Sequence, residues 1–199
     1  YVTAARARGL ETQRDAIFEY LARDTVSGVY RLERDPQFVR IIIPDSATFP
    51  TGLYVLEELR PRGREALRRI GEILKKDSIA RLYREIRVLG HTDEDPYYGG
   101  SYSNWELSAA RAAVVARFLD HVVGIDRCKL SAAGFGPYHP ASISPGRILS
   151  REERKEQDRR IEIEIVPELA QSSGESDWTN RTCEPGRGDL AKGATGGDW

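Results

Sequence analysis

The chain has 199 residues, of which 40% are hydrophobic and 31% are charged, and its formal net charge is -1. This length suits one domain with extensions, and the near-zero net charge provides no general attraction to nucleic acid or to an anionic membrane surface. No apolar run approaches the roughly 20 residues that a transmembrane helix needs, and no signal-peptide pattern opens the chain. We therefore expect a globular domain that does not bind nucleic acid.

The two ends of the chain differ from its middle. The sequence begins at Tyr1 and contains no methionine, so we expect a membrane anchor upstream of it. Residues 1–27 have apolar residues at the spacing of an amphipathic helix, which Gly28 ends. This helix either links the anchor to the domain or simply packs on the domain. Residues 168–199 are rich in Gly, Ser, Thr and Asp, and we interpret them as a C-terminal extension with little core of its own.

The first half of the central region, 28–167, predicts a hairpin followed by a helix. Two β-rich runs, 29–34 and 38–43, flank a short turn that contains proline, as in a β-hairpin. A turn-rich connector then leads to Pro61, which suits the first turn of a helix because its missing N–H costs little there. The apolar face of this helix consists of Leu67, Ile70, Ile73 and Leu74.

The second half of the region alternates strands and helices. A strand at 86–90 ends at His91, Thr92 and Asp93, so these residues emerge at the edge of a sheet, where loops build sites. The remaining predicted elements are a loop at 94–100, a strand at 130–134, a short helix at 147–157 and a strand at 161–165. In the last strand isoleucine alternates with glutamate, which places one face in a core and the other in water. The pattern predicts an α+β sandwich, with a mixed β-sheet and helices packed on one face.

A helix that begins near Asn104 supplies the strongest evidence for a site. Ser103 and Glu106 form a capping box, which satisfies two backbone donors and fixes where the helix starts. One face of the helix is polar in its first turns and apolar further on. The first turns of this face contain Asn104, Leu107 and Arg111, and the later turns contain Val114, Val115, Phe118 and Val122. Because the polar turns lie beside the loop that carries Asp93, the stripe predicts a cleft and not a fully buried helix.

The two cysteines, Cys128 and Cys183, do not determine the cellular compartment. They are too few for a disulfide scaffold, and they lack the spacing of metal ligands. They could pair within the chain, pair between two chains, or remain unrelated thiols.

The motifs around Asp93 and Arg111 form a pattern that extends over roughly residues 40–167. It consists of Gly90-His91-Thr92-Asp93, Asn104, Leu107-Ser108, Arg111-Ala112 and the run Arg159-Arg160-Ile161-Glu162-Ile163. Together these motifs resemble the OmpA-like peptidoglycan-binding domain, which implies an OmpA-like two-layer sandwich. Within that family, residues 103–112 look most like the B subunit of ion-driven motor stators, the MotB type. Relatives in anti-phage membrane motors of the Zorya type would show the same run.

The resemblance implies a site for peptide stems that contain diaminopimelate, whose free end carries an ammonium and a carboxylate side by side. Asp93 would take the ammonium, and Arg111 would take the carboxylate through a bidentate fork. The candidate site residues are Thr92, Asp93, Asn104, Leu107, Arg111 and Arg160. The family's Asn-Arg-Arg run begins with Asp158 here, which leaves the role of that position open. An alternative is that Asp93 and Arg111 simply pair with each other.

We therefore predict a non-catalytic periplasmic module that anchors an inner-membrane, stator-like complex to the cell wall. The resemblance implies a homodimer and a MotA-like membrane partner, reached through a transmembrane segment upstream of this sequence. The alternative tether is an outer-membrane protein or lipoprotein that carries the same domain. An upstream transmembrane segment bearing an intramembrane Asp would favour the stator, whereas a lipid-modified Cys or a β-barrel would favour the other tether.

Catalysis is the less favoured reading of the same residues. His91 lies close in sequence to three acidic residues, 93–95, which could suggest a metal-dependent hydrolase. The other two histidines, His121 and His139, are on a different helix and on a distant loop, and neither a nucleophile with a general base nor a phosphate-binding loop is evident. We predict no enzyme activity, no cofactor and no metal site.

Overall fold

The chain forms a five-stranded mixed β-sheet with helices packed on one face. The computed structural model describes residues 2–23, 28–50, 52–97, 102–141 and 148–169. The strands are β1 (Arg31–Arg34), β2 (Val39–Pro44), β3 (Tyr83–His91), β4 (Leu130–Gly134) and β5 (Arg160–Pro167). The helices are α1 (Val2–Arg23), α2 (Asp45–Thr48), α3 (Pro61–Leu74), α4 (Asp77–Ala80), α5 (Asn104–Arg117) and α6 (Arg151–Asp158). The predicted α+β class is confirmed.

The order of the strands brings the end of β3 next to the start of β5. The order is β1-β2-β5-β3-β4, in which β3 and β4 are parallel and the other neighbours are antiparallel. The register pairs His91 with Arg160, the last residue of β3 with the first of β5. The segment after β3 and the segment before β5 therefore emerge side by side. They carry Asp93 and Arg159.

The hydrophobic core lies between the sheet and the helices. It combines the inward residues of β2, β3 and β5 with one face each of α3 and α5. Helix α1 belongs to the same core, because Ile17 and Leu21 are fully buried in it. Burial of two such side chains contributes roughly 1.5–3 kcal/mol each. Of the two interpretations of this helix, packing on the domain is the one that the structure shows.

The outer face of β5 is not solvated, and the prediction of a strand with one face in water was wrong. Glu162 and Glu164 are each only 6% exposed. Arg40 of β2 lies 3.1 Å from a carboxylate oxygen of Glu162 and 3.2 Å from one of Glu164. Alternation of apolar and charged residues cannot distinguish a charged side chain in water from one covered by an ion pair.

Helix α5 approaches the sheet closely at the end that carries the site. The predicted capping box of Ser103 and Glu106 is present. A Cβ atom at Gly90 would lie 2.0 Å from the carbonyl oxygen of Ser108, and one at Gly134 would lie 2.4 Å from the amide nitrogen of Ala109. Only glycine at these two paired strand positions lets the helix backbone rest directly on β3 and β4.

The apolar stripe of α5 changes register beyond its last turn. The helix continues as a π-helical segment, Phe118–Val123, and Gly124 with φ of 81° ends it. A π-turn takes more residues per turn than an α-turn, so side chains beyond it rotate away from the expected face. As a result Val123 is buried, whereas Val122, predicted to be in the core, is 56% exposed.

Several expectations concern residues outside the described ranges. Most of the proposed C-terminal extension, from residue 170 onward, lies there, as does Cys183. Cys128 is disulfide-bonded. Within the described ranges, none of the helices combines the length and the apolar character that crossing a bilayer requires.

Candidate functional site

A pocket of about 180 Å³ lies beyond the end of β3, between the loop after it, the first turns of α5 and the segment after β2. Five of the six predicted site residues line it, namely Thr92, Asp93, Asn104, Leu107 and Arg111. The sixth, Arg160, lines a different pocket on the other face of the sheet, and its neighbour Arg159 lines this one. The alternation of side chains along β5 is the reason, since consecutive residues point to opposite faces.

The carboxylate of Asp93 is almost completely buried, with 7% of the residue exposed, and both oxygens have protein partners. Oδ1 accepts a hydrogen bond of 3.1 Å from the backbone N–H of Asp95. Oδ2 forms an ion pair with Arg159. Asn104 Nδ2 donates to the carbonyl oxygens of Asp93 (3.4 Å) and Asp95 (2.9 Å), so the start of α5 fixes the shape of the loop.

The guanidinium of Arg111 ties α5 to the segment after β2. Nη1 lies 3.1 Å from Asp45 Oδ1, Nε donates to the carbonyl oxygen of Leu53 (2.9 Å) and Nη2 donates to that of Pro50 (3.1 Å). Only 3% of Arg111 is exposed. Burial lowers the pKa of Arg111 and raises the pKa of Asp45, in each case against the opposing effect of the other's charge. Most of the hydrogen-bonding capacity of Arg111 is therefore used within the protein.

The structure does not show the alternative in which Asp93 and Arg111 pair with each other. Asp93 pairs with Arg159 and Arg111 pairs with Asp45, so the two residues belong to different ion pairs. Sequence reasoning missed both of the second partners. Asp45 lies in the turn-rich connector, for which the sequence predicts no site residue, and Arg159 precedes Arg160, the arginine that the sequence predicts for the site.

The acidic loop after β3 is held by α6. Arg151 lies 2.8 Å from Glu94, and Lys155 Nζ lies 2.8 Å from Asp95 Oδ2. The hydrogen bond from Lys155 lowers the pKa of the Asp95 carboxyl. Together with Arg159, these basic residues are spaced four apart, so they follow one side of α6 and its C-terminal end.

The other face of the sheet has a larger pocket, of about 270 Å³, that contains His91 and Arg160. Arg160 Nε donates to Glu162 Oε1 (2.7 Å), and its other nitrogens donate to the carbonyl oxygens of Asp158 and His139. Burial, with the charge of Arg160 second, lowers the pKa of His91 to about 4. Among the described residues neither ring nitrogen of His91 has a hydrogen-bond partner, and Nε2 lies 3.9 Å from Glu162 Oε1. Among the residues that the structure describes, the two pockets have no lining residue in common.

Within the described ranges, no group of three His, Cys, Asp or Glu side chains is arranged to hold a metal ion. What the pocket around Asp93 offers is charge in fixed positions, the carboxylates of Asp45, Asp93 and Asp95 and the guanidinium groups of Arg111 and Arg159. Such an arrangement can bind a small ligand that carries both signs of charge.

The fold and this pocket define a binding domain of the α+β sandwich class. The sequence model of the OmpA family matches residues 48–154, more than half of the chain, and the chain belongs to this family. Wall-anchoring domains of this kind are non-catalytic modules, which agrees with the prediction that the chain is not an enzyme.

The relatives include motor proteins and a wall anchor. Motility protein B of Escherichia coli K12 is 38% identical over 94 residues, 46% of this chain and 29% of its own length. The cell wall anchor of the Pseudomonas aeruginosa T6SS superposes with a TM-score of 0.62 at 26% identity, over 78% of this chain and 99% of that one. The periplasmic domain of Helicobacter pylori MotB gives a TM-score of 0.55 at 26% identity, over 70% and 82%. The chain covers between 29% and 64% of the length of the curated relatives that it matches.

Proposed function

We propose that this chain anchors a membrane complex to the cell wall by binding the peptide stems of peptidoglycan. The observation that supports this most directly is the pocket in which the buried carboxylate of Asp93 and the guanidinium of Arg111 line one cavity. The free end of diaminopimelate carries an ammonium and a carboxylate on one carbon, so its recognition requires an anion and a cation at short range. In this proposal Asp93 receives the ammonium, and the guanidinium groups of the pocket receive the carboxylate.

Thr92, Asn104 and Leu107 have supporting roles in the proposal. Thr92 lines the pocket, and its buried hydroxyl makes no hydrogen bond with the residues that the structure describes. Because buried polar atoms are normally paired, a ligand amide or carboxylate would supply the missing bond. Asn104 holds the loop that carries Asp93, and Leu107 forms the apolar wall.

The tethered machine is proposed from the relatives. Similarity to Motility protein B and to the periplasmic domain of MotB supports an inner-membrane, stator-like complex with the domain in the periplasm. In that arrangement a transmembrane segment outside this sequence would reach a MotA-like partner, and α1 would lie on the membrane side. A few charge-assisted hydrogen bonds give weak affinity per site, because ordering a flexible peptide offsets them. We propose a homodimer, since two copies on one anchor hold a polymer far better than one.

Co-sedimentation with purified sacculi that contain diaminopimelate tests this proposal. We expect the wild-type chain to pellet with the sacculi. Asp93→Asn keeps the shape of the side chain and removes its charge, so it should weaken binding about tenfold or more, the effect of one lost charge-assisted hydrogen bond.

Glu94→Gln is the matched control, because it makes the same charge change one residue further along the loop. Glu94 pairs with Arg151 at the surface, and neither lines the pocket. This variant should pellet like the wild type. Failure of the folded wild-type chain to pellet, or equal losses in the two variants, would count against a site at Asp93.

A further inference from the structure

The two arginines of the pocket differ in what they can offer a ligand. The side chain of Arg111 is 3% exposed and has three protein acceptors, Asp45 and two backbone carbonyls. The side chain of Arg159 is 35% exposed, and in the described part of the chain its guanidinium contacts one carboxylate, that of Asp93. Arg159 can therefore turn towards a ligand without breaking a hydrogen bond to a backbone carbonyl oxygen, whereas Arg111 cannot.

The pair of Asp93 and Arg159 can open without releasing the loop from α6. The next two acidic residues of the loop keep their own partners, since Arg151 binds Glu94 and Lys155 binds Asp95. Lys155 is the stronger of these two attachments, because its side chain is only 10% exposed and that of Arg151 is 70% exposed. Lys155 makes its hydrogen bond to Asp95 (2.8 Å), whereas Glu152 of the same helix is further away at 3.6 Å, so the contact with Asp95 should persist.

We propose that Arg159 makes the pocket selective for a zwitterionic ligand end by exchanging partners with it. This inference rests on the proposed binding of peptide stems at Asp93. The ligand ammonium takes the place of Arg159 on the Asp93 carboxylate, and the released guanidinium of Arg159 binds the ligand carboxylate. Arg111 is a positioning residue, which holds the wall of the pocket through Asp45.

The charge balance of the pocket is the physical basis of the selectivity. The carboxylates of the pocket, those of Asp45, Asp93 and Asp95, are paired with Arg111, Arg159 and Lys155, so these six charges sum to zero, and a zwitterion leaves that sum unchanged. A ligand with only an ammonium would displace Arg159 from Asp93 without giving it a new carboxylate. A ligand with only a carboxylate could bind only by leaving the buried carboxylate of Asp93 unpaired. Specificity of this kind comes from the cost that the wrong ligand imposes.

Binding of three soluble stem peptides, measured by chemical-shift titration of the ¹⁵N-labelled chain, tests the proposal. The peptides end in diaminopimelate with its free end unmodified, with the carboxylate of that end amidated, or with its amine acetylated. We expect the wild type to bind the unmodified peptide about tenfold or more tightly than either modified one. Arg159→Gln should bind the unmodified and amidated peptides within about threefold of each other and still reject the acetylated peptide.

Two further variants separate a specific role from a structural one. Arg159→Lys keeps a cation and should retain part of the preference over the amidated peptide. Arg151→Gln removes a cation from the same side of α6, outside the pocket, and should keep the wild-type preference. An Arg159→Gln variant that keeps the full preference would overturn the exchange. If the wild type bound sacculi and all three peptides equally well, the exchange would be overturned and the proposed function would stand. If the wild type bound neither sacculi nor peptide, the proposed function would be overturned as well.

Discussion

The two faces of the sheet at the end of β3 differ in how their charges are paired. On the face covered by α5, the charges around the pocket form separate pairs, Asp93 with Arg159, Asp45 with Arg111 and Asp95 with Lys155. The opposite face of the sheet, here called the open face, carries the pocket of His91 and Arg160. Its charges form a shared network, in which Glu162 contacts both Arg40 (3.1 Å) and Arg160 (2.7 Å). A network in which each charge has more than one partner stabilises the sheet but offers little to a ligand. In a separate pair, a ligand has to replace only one contact between charged groups.

This contrast shows that the size of a pocket does not indicate its function. The open-face pocket is the larger, at about 270 Å³ against about 180 Å³. Its three arginines and three glutamates are engaged with one another, however, and they leave no fixed charge free. Adjacent residues of the chain serve the two faces, as His91 and Thr92 do after β3.

The largest effect on stability is expected from adding one methyl group on the face covered by α5. In Gly90→Ala the new Cβ would lie 2.0 Å from the carbonyl oxygen of Ser108, a backbone atom that cannot rotate away. Helix α5 must then lift from β3. We expect a loss of about 4 kcal/mol or more in the free energy of unfolding, above the usual range for overpacking, measured by urea denaturation.

The matched change on the open face is Leu89→Ala, one residue earlier on the same strand. Leu89 lines the open-face pocket, so its truncation removes contacts without forcing any element to move. This variant should lose less stability than Gly90→Ala. Equal losses of stability in the two variants would show that position 90 does not need glycine for α5 to pack against β3.

The second prediction concerns the separate pairs. Asp45→Asn leaves the buried guanidinium of Arg111 without its carboxylate, and breaking a buried pair in this way costs about 3–4 kcal/mol. Thermal and urea unfolding would measure the loss. On the open face, Glu164→Gln should cost clearly less, because Arg40 keeps Glu162 and is itself 27% exposed. A reversed order would mean that Arg111 is held mainly by its two backbone acceptors.

Periodicity and turn chemistry were sufficient to predict the elements and the approximate place of the site. The capping box at Ser103, the strand that ends at His91 and the hairpin around residue 36 each depend on local sequence, and the structure confirms them. The five predicted pocket residues lie on the loop after β3 and on α5, and they could also be predicted. They follow from one strand and the helix that comes next in the chain.

The partners of those residues were not predictable, because they come from distant segments. Asp45 reaches the pocket through the turn after β2, and Arg159 reaches it only because β5 pairs between β2 and β3. Choosing between Arg159 and Arg160 requires the side to which each residue of β5 points, and a shift of one residue reverses that side. The same limit explains the wrong prediction for Glu162 and Glu164.

The smallest effect is expected on the open face and depends on pH. The pKa of His91 falls to about 4 in the folded chain from an ordinary value of 6.5. Between these values the unfolded chain binds a proton that the folded chain does not, so stability falls as the pH is lowered from 6.5 to 4. The loss from this one group is on the order of 2–3 kcal/mol.

His91→Phe removes the titrating group and keeps an aromatic ring against Phe135, on which His91 stacks with ring centroids 5.3 Å apart. Unfolding free energies measured by urea at pH 7 and pH 4 should then differ less in the variant than in the wild type, by about that amount. His121→Gln serves as the control, because the side chain of His121 is 56% exposed and should leave the difference unchanged. If His91→Phe kept the full wild-type loss at pH 4, the acid sensitivity would lie in the carboxylates of the two pockets. The pH dependence of stability would then come from ion pairs on both faces of the sheet.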